Sequence, residues 1–137
     1  MSGLTLTLKY PVSVNAYWLA SGKRRYISKR GVEFKKSVAE IYAASGHKGF
    51  GSSPVELDVV LFPRDNRLMD IDNMLKCLGD SLQDAGVFDD DQQVWKITIE
   101  RGEKIKGGGC QVTINEYGKH GSTLTARMAS LIQDLTD

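Results

Sequence analysis

The 137-residue sequence has only two cysteines, Cys77 and Cys110, and no CxxC pair. Two free thiols in a reducing cytosol are expected, not a disulfide. Histidine is equally scarce. His47 and His120 lie far from either cysteine, without the ligand spacing that zinc requires, and both read as loop residues. No apolar run approaches the roughly 20 residues of a membrane span, so no membrane association is expected. The opening MSGLTLTLKY lacks a basic stretch and a long apolar core, so no signal peptide is expected and the chain reads as cytoplasmic. There is no repeat and no low-complexity segment. GEKIKGGG, from Gly102, is neither a Walker loop nor a dinucleotide fingerprint; it reads as a basic loop tip. DIDNMLKCLGDS places Met74 and Leu75 where an EF-hand needs oxygen ligands. No local signature marks a serine or cysteine nucleophile.

Net charge is also small, at +1, but it is unevenly spread. From Met1 to Lys36 there are eight basic residues and one acid, Glu33. From Asp65 to Asp91 there are eight aspartates and two basic residues, Arg67 and Lys76. If the two parts meet in the fold, one surface attracts phosphate and another attracts a cation. Two solvated faces would give the same counts.

Hydrophobic periodicity sets out the elements. LTLTLKY alternates, with Leu4, Leu6 and Leu8 on one face of a half-buried strand. RRYIS reads as a short strand after a turn at Gly22. Ser28 offers an N-cap to a helix running to about Ser45, with Phe34, Val38 and Ile41 at helical spacing. VELDVVLF is a strong strand that Pro63 ends. A second helix is expected from near Asp72 to Ala85, stopped by Gly86. VWKITIER and CQVTINEY read as a final hairpin, with Trp95, Ile97 and Ile99 together on one face. STLTARMASLIQDLTD reads as an amphipathic helix through Leu124, Met128, Leu131 and Leu135. The expected fold is α/β with α+β character: one mixed sheet of about four to five strands, two packed helices and an extra C-terminal helix. Residues 1–117 form one domain in this reading and 118–137 an extension.

Asp70 and Asp72 stand one residue apart, followed by Asn73 and Lys76; Asp89, Asp90 and Asp91 come later in a run. Crowded like charges cost free energy unless something positive sits among them. Acids at a helix N-terminus are favoured by roughly 0.3–1 kcal/mol each, and capping would account for Asp72 but not for Asp70. Lys76, four residues after Asp72, shares its helix face and is either an exposed ion pair or a charge held beside a metal and a phosphate. A helix from Asp72 to Ala85 is about 21 Å long. Asp91 therefore reaches the first two aspartates only if the run crosses back to the helix start, or if a second subunit supplies it. Carboxylates with open water positions suit Mg²⁺ and phosphodiester chemistry; a structural acidic patch is the other reading.

The stretch DIDNMLKCLGDSLQDAGVFDDDQQV resembles the central motif of the RusA-type Holliday junction resolvases. It matches through Asp70, Asp72, Asn73, Lys76, Asp80, Leu82, Gly86, Asp90, Asp91 and Val94. PVSVNAYW resembles the family's N-terminal stretch through Pro11, Ser13, Asn15 and Tyr17. The similarity covers about Leu4 to Tyr117. It implies a small homodimeric endonuclease of mixed α/β fold. Such an enzyme needs Mg²⁺, or a similar divalent metal such as Mn²⁺, and nicks two strands of a four-way DNA junction symmetrically, in recombination and repair. It implies Asp70, Asp72 and Asp91 as metal-binding catalytic carboxylates, with Lys76 and Asp90 also catalytic.

The family's arginine run before the first aspartate is thinned here to Arg64 and Arg67, with Asp65 between them. GKRRYISKR is expected to carry more of the DNA contact. The expected DNA-binding residues are Asn15, Lys23, Arg24, Arg25, Lys29, Lys35, Arg64 and Arg67. The expected partners are branched DNA and a second copy of the chain, inside a bacterial cell, with either the cell or a phage as the source of the gene. A non-catalytic branched-DNA-binding protein, or a broader branched- or flap-DNA nuclease, are the alternatives.

Overall fold

The computed structural model describes residues 3–67, 70–118, 133 and 135. The strands are β1 (Leu4–Leu8), β2 (Trp18–Ser21), β3 (Arg24–Ile27), β4 (Val55–Phe62), β5 (Val94–Arg101) and β6 (Gly109–Glu116); the helices are α1 (Val14–Tyr17), α2 (Lys29–Ser45) and α3 (Leu75–Ala85). Four strands form one sheet in the order β1-β6-β4-β5, and β2 and β3 pair separately. The mixed α+β architecture is the one expected. The extension from 118 onward lies outside the described residues except for Gly118, Gln133 and Leu135.

Alternation in the sequence becomes two-sidedness in the sheet. Leu6 and Leu8, then Val55, Leu57, Val59 and Leu61, then Cys110, Val112 and Ile114, are all buried. Helix α2 contributes Phe34, Val38 and Tyr42 to the same core, and α3 contributes Cys77, Leu78 and Leu82. Phe34, Val38 and Tyr42 recur every four residues, as do Leu78 and Leu82, and each set forms one helical stripe. Helix α2 starts where expected: the Ser28 Oγ accepts from the Gly31 amide at 3.2 Å. It stops at Gly46, which takes a left-handed φ of 71° that only glycine adopts freely.

Three expectations change. The last two strands are not a hairpin: β4 lies between β5 and β6, and β5 runs parallel to β4. Helix α3 is the crossover between β4 and β5, and a crossover of this kind is what makes neighbouring strands parallel. Secondly, β5 is left at an edge. Ile97 and Ile99 pair with Leu57 and Val59, yet Trp95 and Ile97 remain 62% and 43% exposed. The alternation is correct; full cover is missing because the sheet ends there. Thirdly, RRYIS pairs with WLAS as a hairpin turned at Gly22, outside the main sheet.

Candidate active site

The segment before α3 is a 3-10 turn, Ile71–Met74, and not the first turn of an α-helix. Its leading residue is Asp70, with extended φ and ψ of −74° and 112°, and the Asp70 side chain makes no capping bond. Asp72 lies inside the turn and is not the N-cap. Both aspartates are exposed, and neither carboxylate has a hydrogen bond or ion pair among the described residues. Capping thus accounts for neither. Two unspent carboxylates, one residue apart, stand at the start of α3.

Asp90 and Asp91 stand at the other end of that helix. Asp90 caps a second 3-10 turn, Asp91–Gln93: its Oδ1 accepts from the Gln92 amide, and Gln93 Oε1 accepts from the Asp90 amide, both at 2.8 Å. Gln93 is buried, and its Nε2 donates to the carbonyls of Gly51 and Ser53 at 2.8 and 2.6 Å. The Asp91 amide donates to Gln83 Oε1 on α3 at 2.8 Å. The Asp91 carboxylate itself is exposed and has no partner among the described residues. The 11 residues of α3 rise about 16 Å between the two ends. Accordingly, no three His, Cys, Asp or Glu side chains among the described residues come together to hold one metal. Asp70 and Asp72 are neighbours; Asp91 is not brought to them within one chain. The donors present are exposed carboxylate oxygens, which fit a hard divalent cation such as Mg²⁺ and not a soft one.

Lys76 leans away from Asp72. Its Nζ lies 3.2 Å from Asp80 Oδ1, and the hydroxyl of Tyr17 donates to Asp80 Oδ2 at 3.1 Å. Tyr17 is wholly buried; burial, and then the Asp80 charge, push its pKa up.

A groove of about 1030 Å³ opens beside Asp70 and Asn73. Its walls carry Asn15, Arg64 and Arg67, as expected, and also Lys9 and Arg30. Arg64 and Arg67 both reach Asp65, at 3.7 and 3.1 Å. The Arg67 amide, followed by the Arg67 guanidinium, holds the Asp65 carboxyl below its ordinary range. The Arg101 guanidinium reaches the Arg67 carbonyl at 3.2 Å and ties this loop to the end of β5. Lys23, Arg24 and Arg25 sit on the exposed β2–β3 hairpin, where the Arg25 guanidinium lies 5.0 Å above the Trp18 ring. Lys29 is exposed at the start of α2. Lys35 is instead occupied, bridging α2 to Asp84 on α3.

Sequence reasoning missed Lys9, Arg30, Gln83, Gln93 and the link from Tyr17 to Asp80. The Asp90–Gln93 spacing is a capping-box signature and was available. The others depend on packing between distant segments.

The sequence profile of endodeoxyribonuclease RusA matches residues 9–115. Among curated proteins, the crossover junction endodeoxyribonuclease of Enterobacteria phage HK97 is 37% identical over 116 residues, which is 85% of this chain and 97% of that protein. Its counterpart from Enterobacteria phage 82 is 32% identical over 118 residues, covering 86% and 98%. The one from Escherichia coli K12 is 30% identical over 118 residues, with the same coverage. No helix among the described residues is long and apolar enough to cross a membrane. The matched span contains both the groove motif from Pro11 and the whole aspartate motif, and the chain belongs to the RusA endodeoxyribonuclease family.

Proposed function

We propose that this protein is a Mg²⁺-dependent endonuclease that resolves four-way DNA junctions by paired symmetric nicks, in recombination and repair inside a bacterial cell. The observation that carries the reading is the unspent carboxylate of Asp70 in a groove walled by Lys9, Arg30, Arg64 and Arg67, with the equally unspent Asp72 one residue on in the same 3-10 turn segment. The cations draw in and orient the phosphate backbone, giving affinity that falls with salt. Asp70, Asp72 and Asp91 would hold the metal ion. When bound, it supplies positive charge and an acidified water for phosphodiester hydrolysis. Lys76 adds positive charge beside the phosphate, and Asp90 keeps Asp91 in place through its capping turn.

The active unit in this reading is a homodimer, with Asp91 supplied across the interface. Two observations support it. Asp91 is tied to the far end of α3 from Asp72. The outer edge of β5 has no strand partner among the described residues. Antiparallel pairing of two β5 edges about a two-fold axis would set the Asp91 end of one strand beside the Arg101 end of the other. Arg101 is already tied to the loop leading to Asp70. Two equivalent sites on a two-fold dimer also match a junction with two equivalent strands.

The test is cleavage of labelled four-way junction, linear duplex and flap DNA with Mg²⁺ or with EDTA, beside Asp72→Asn. Paired nicks confined to the junction are expected in Mg²⁺ alone. Binding without cleavage at every metal concentration would overturn the enzyme reading. Full activity in Asp72→Asn would overturn the site.

A further inference from the structure

Lys76, in the first turn of α3, has an acid four residues to either side: Asp80 one helical turn on, and Asp72 in the 3-10 turn that precedes the helix. In an isolated helix an acid four residues before a lysine is the better-oriented pair. Here the 3-10 turn takes Asp72 out of that register: the ammonium pairs with Asp80 at 3.2 Å, and Asp72 has no ion pair among the described residues. Asp80 is also held from behind. Its second oxygen accepts the Tyr17 hydroxyl at 3.1 Å. Tyr17 is 0% exposed, at the end of α1, and its ring lies against Gly31 of α2 so closely that a Cβ there would come within 2.8 Å of Tyr17 Cδ1. The buried ring is packed against α2. The raised pKa of the hydroxyl keeps it a donor. The Asp80 carboxylate is therefore fixed from inside and presents Oδ1 outward to the lysine.

The consequence concerns the carboxylates at the start of α3. A lysine resting on Asp72 would compete with a cation for the same oxygens and repel it through a like charge only a few ångströms away. We propose that Asp80, fixed by the Tyr17 hydroxyl, is a positioning residue that holds Lys76 off Asp72 and so leaves Asp70 and Asp72 open to a divalent cation. This rests on the metal-site reading proposed for Asp70 and Asp72. It gives the N-terminal and central motifs one shared task, because Tyr17 belongs to the first and Asp80 and Lys76 to the second.

The test is Mn²⁺ binding to the full-length protein without DNA, read from the electron paramagnetic resonance signal of free Mn²⁺. Wild type is compared with Asp80→Asn, Tyr17→Phe, Lys76→Gln and the Asp80→Asn/Lys76→Gln double variant, with thermal melts to verify folding. Asp80→Asn is expected to weaken binding about threefold to tenfold, and Tyr17→Phe by less. The decisive readout is coupling: Lys76→Gln should improve binding more in the Asp80→Asn background than in wild type. Additive effects, or wild-type binding by Asp80→Asn, would overturn the positioning role while leaving the metal site standing. Wild type that binds no Mn²⁺ would overturn the metal site itself, and the inference with it.

Discussion

The amide of Asp91 donates to Gln83 Oε1 at 2.8 Å, which ties the aspartate run to the last turn of α3. Asp72 lies before the first turn of the same helix. The helix acts as a spacer, holding the two carboxylates of one chain apart by its own length.

A composite site makes a sharp prediction for mixed subunits. Asp72→Asn and Asp91→Asn homodimers should each be inactive. In a heterodimer, one site then carries both defects and the other carries neither. Mixing and exchanging the two inactive proteins should restore nicking of one strand of the junction, measured on strand-specific labels. If each chain instead completed its own site, both sites of the heterodimer would be damaged and no activity would return.

Much of this was legible in the sequence because it is local. The Ser28 cap, the glycine stop at Gly46, the alternation of VELDVVLF and the stripe of α3 depend on residues within a few positions of one another. The order of the strands does not. Nothing in VWKITIER says that β5 pairs with β4 and not with β6; that follows from where α3 delivers the chain. The exposure of Trp95 and Ile97 was hidden for the same reason, since an apolar alternation reads alike on an edge strand and a central one. At the site, the carboxylates were found by their crowding, but the preference of Lys76 for Asp80 was not. Asp80 is bonded by Tyr17, 63 positions away in the chain.

Gly31→Ala should destabilise the protein, against the usual direction for a helix. Alanine is otherwise the better helix former by about 1 kcal/mol. Here its Cβ would lie 2.6 Å from Ile27 Cγ2 and 2.8 Å from Tyr17 Cδ1. Overpacking of this kind costs about 1–3 kcal/mol. Urea unfolding should show a lower midpoint with an unchanged slope. A midpoint equal to or above wild type would show that the contact between Tyr17 and α2 is looser than the geometry implies.

Gln93→Ala should also destabilise, because the side chain holds two loops together. The substitution removes the bonds to Gly51 and Ser53 and leaves the Asp90 amide without its acceptor. A buried polar group left unpaired costs about 1–3 kcal/mol. The loss should appear in urea unfolding, and amide exchange at Asp90 and Asp91 should quicken more than in the middle of β4.

Stability should fall on the alkaline side. Burial pushes the Cys77 thiol up and the Cys110 thiol to about 12, from an ordinary 9.0. Burial likewise raises Tyr17 and Tyr42. Each group holds its proton more tightly when folded. The stability this provides is fully present below the unfolded thiol value and is lost as pH rises from there through the folded values. The urea midpoint should therefore decline as pH rises from about 9 towards about 12. A flat profile would show that these groups are more accessible than their burial implies.

The basic residues should divide into two classes under salt titration. Lys23, Arg24 and Arg25 are exposed on the β2–β3 hairpin, and in the proposed function they meet DNA phosphates. Removing one phosphate contact should reduce the slope of log affinity against log salt by about 0.9. Replacing the three with glutamine should flatten that slope for junction DNA by about 1 to 3. Lys35→Ala should behave otherwise, because its ammonium is engaged by Asp84 between α2 and α3. It should leave the slope unchanged and lower stability by no more than about 1 kcal/mol, as for an ion pair near the surface. Fluorescence anisotropy across a salt series separates the two. A Lys35→Ala variant with a flattened slope would mean that the lysine leaves Asp84 for the DNA.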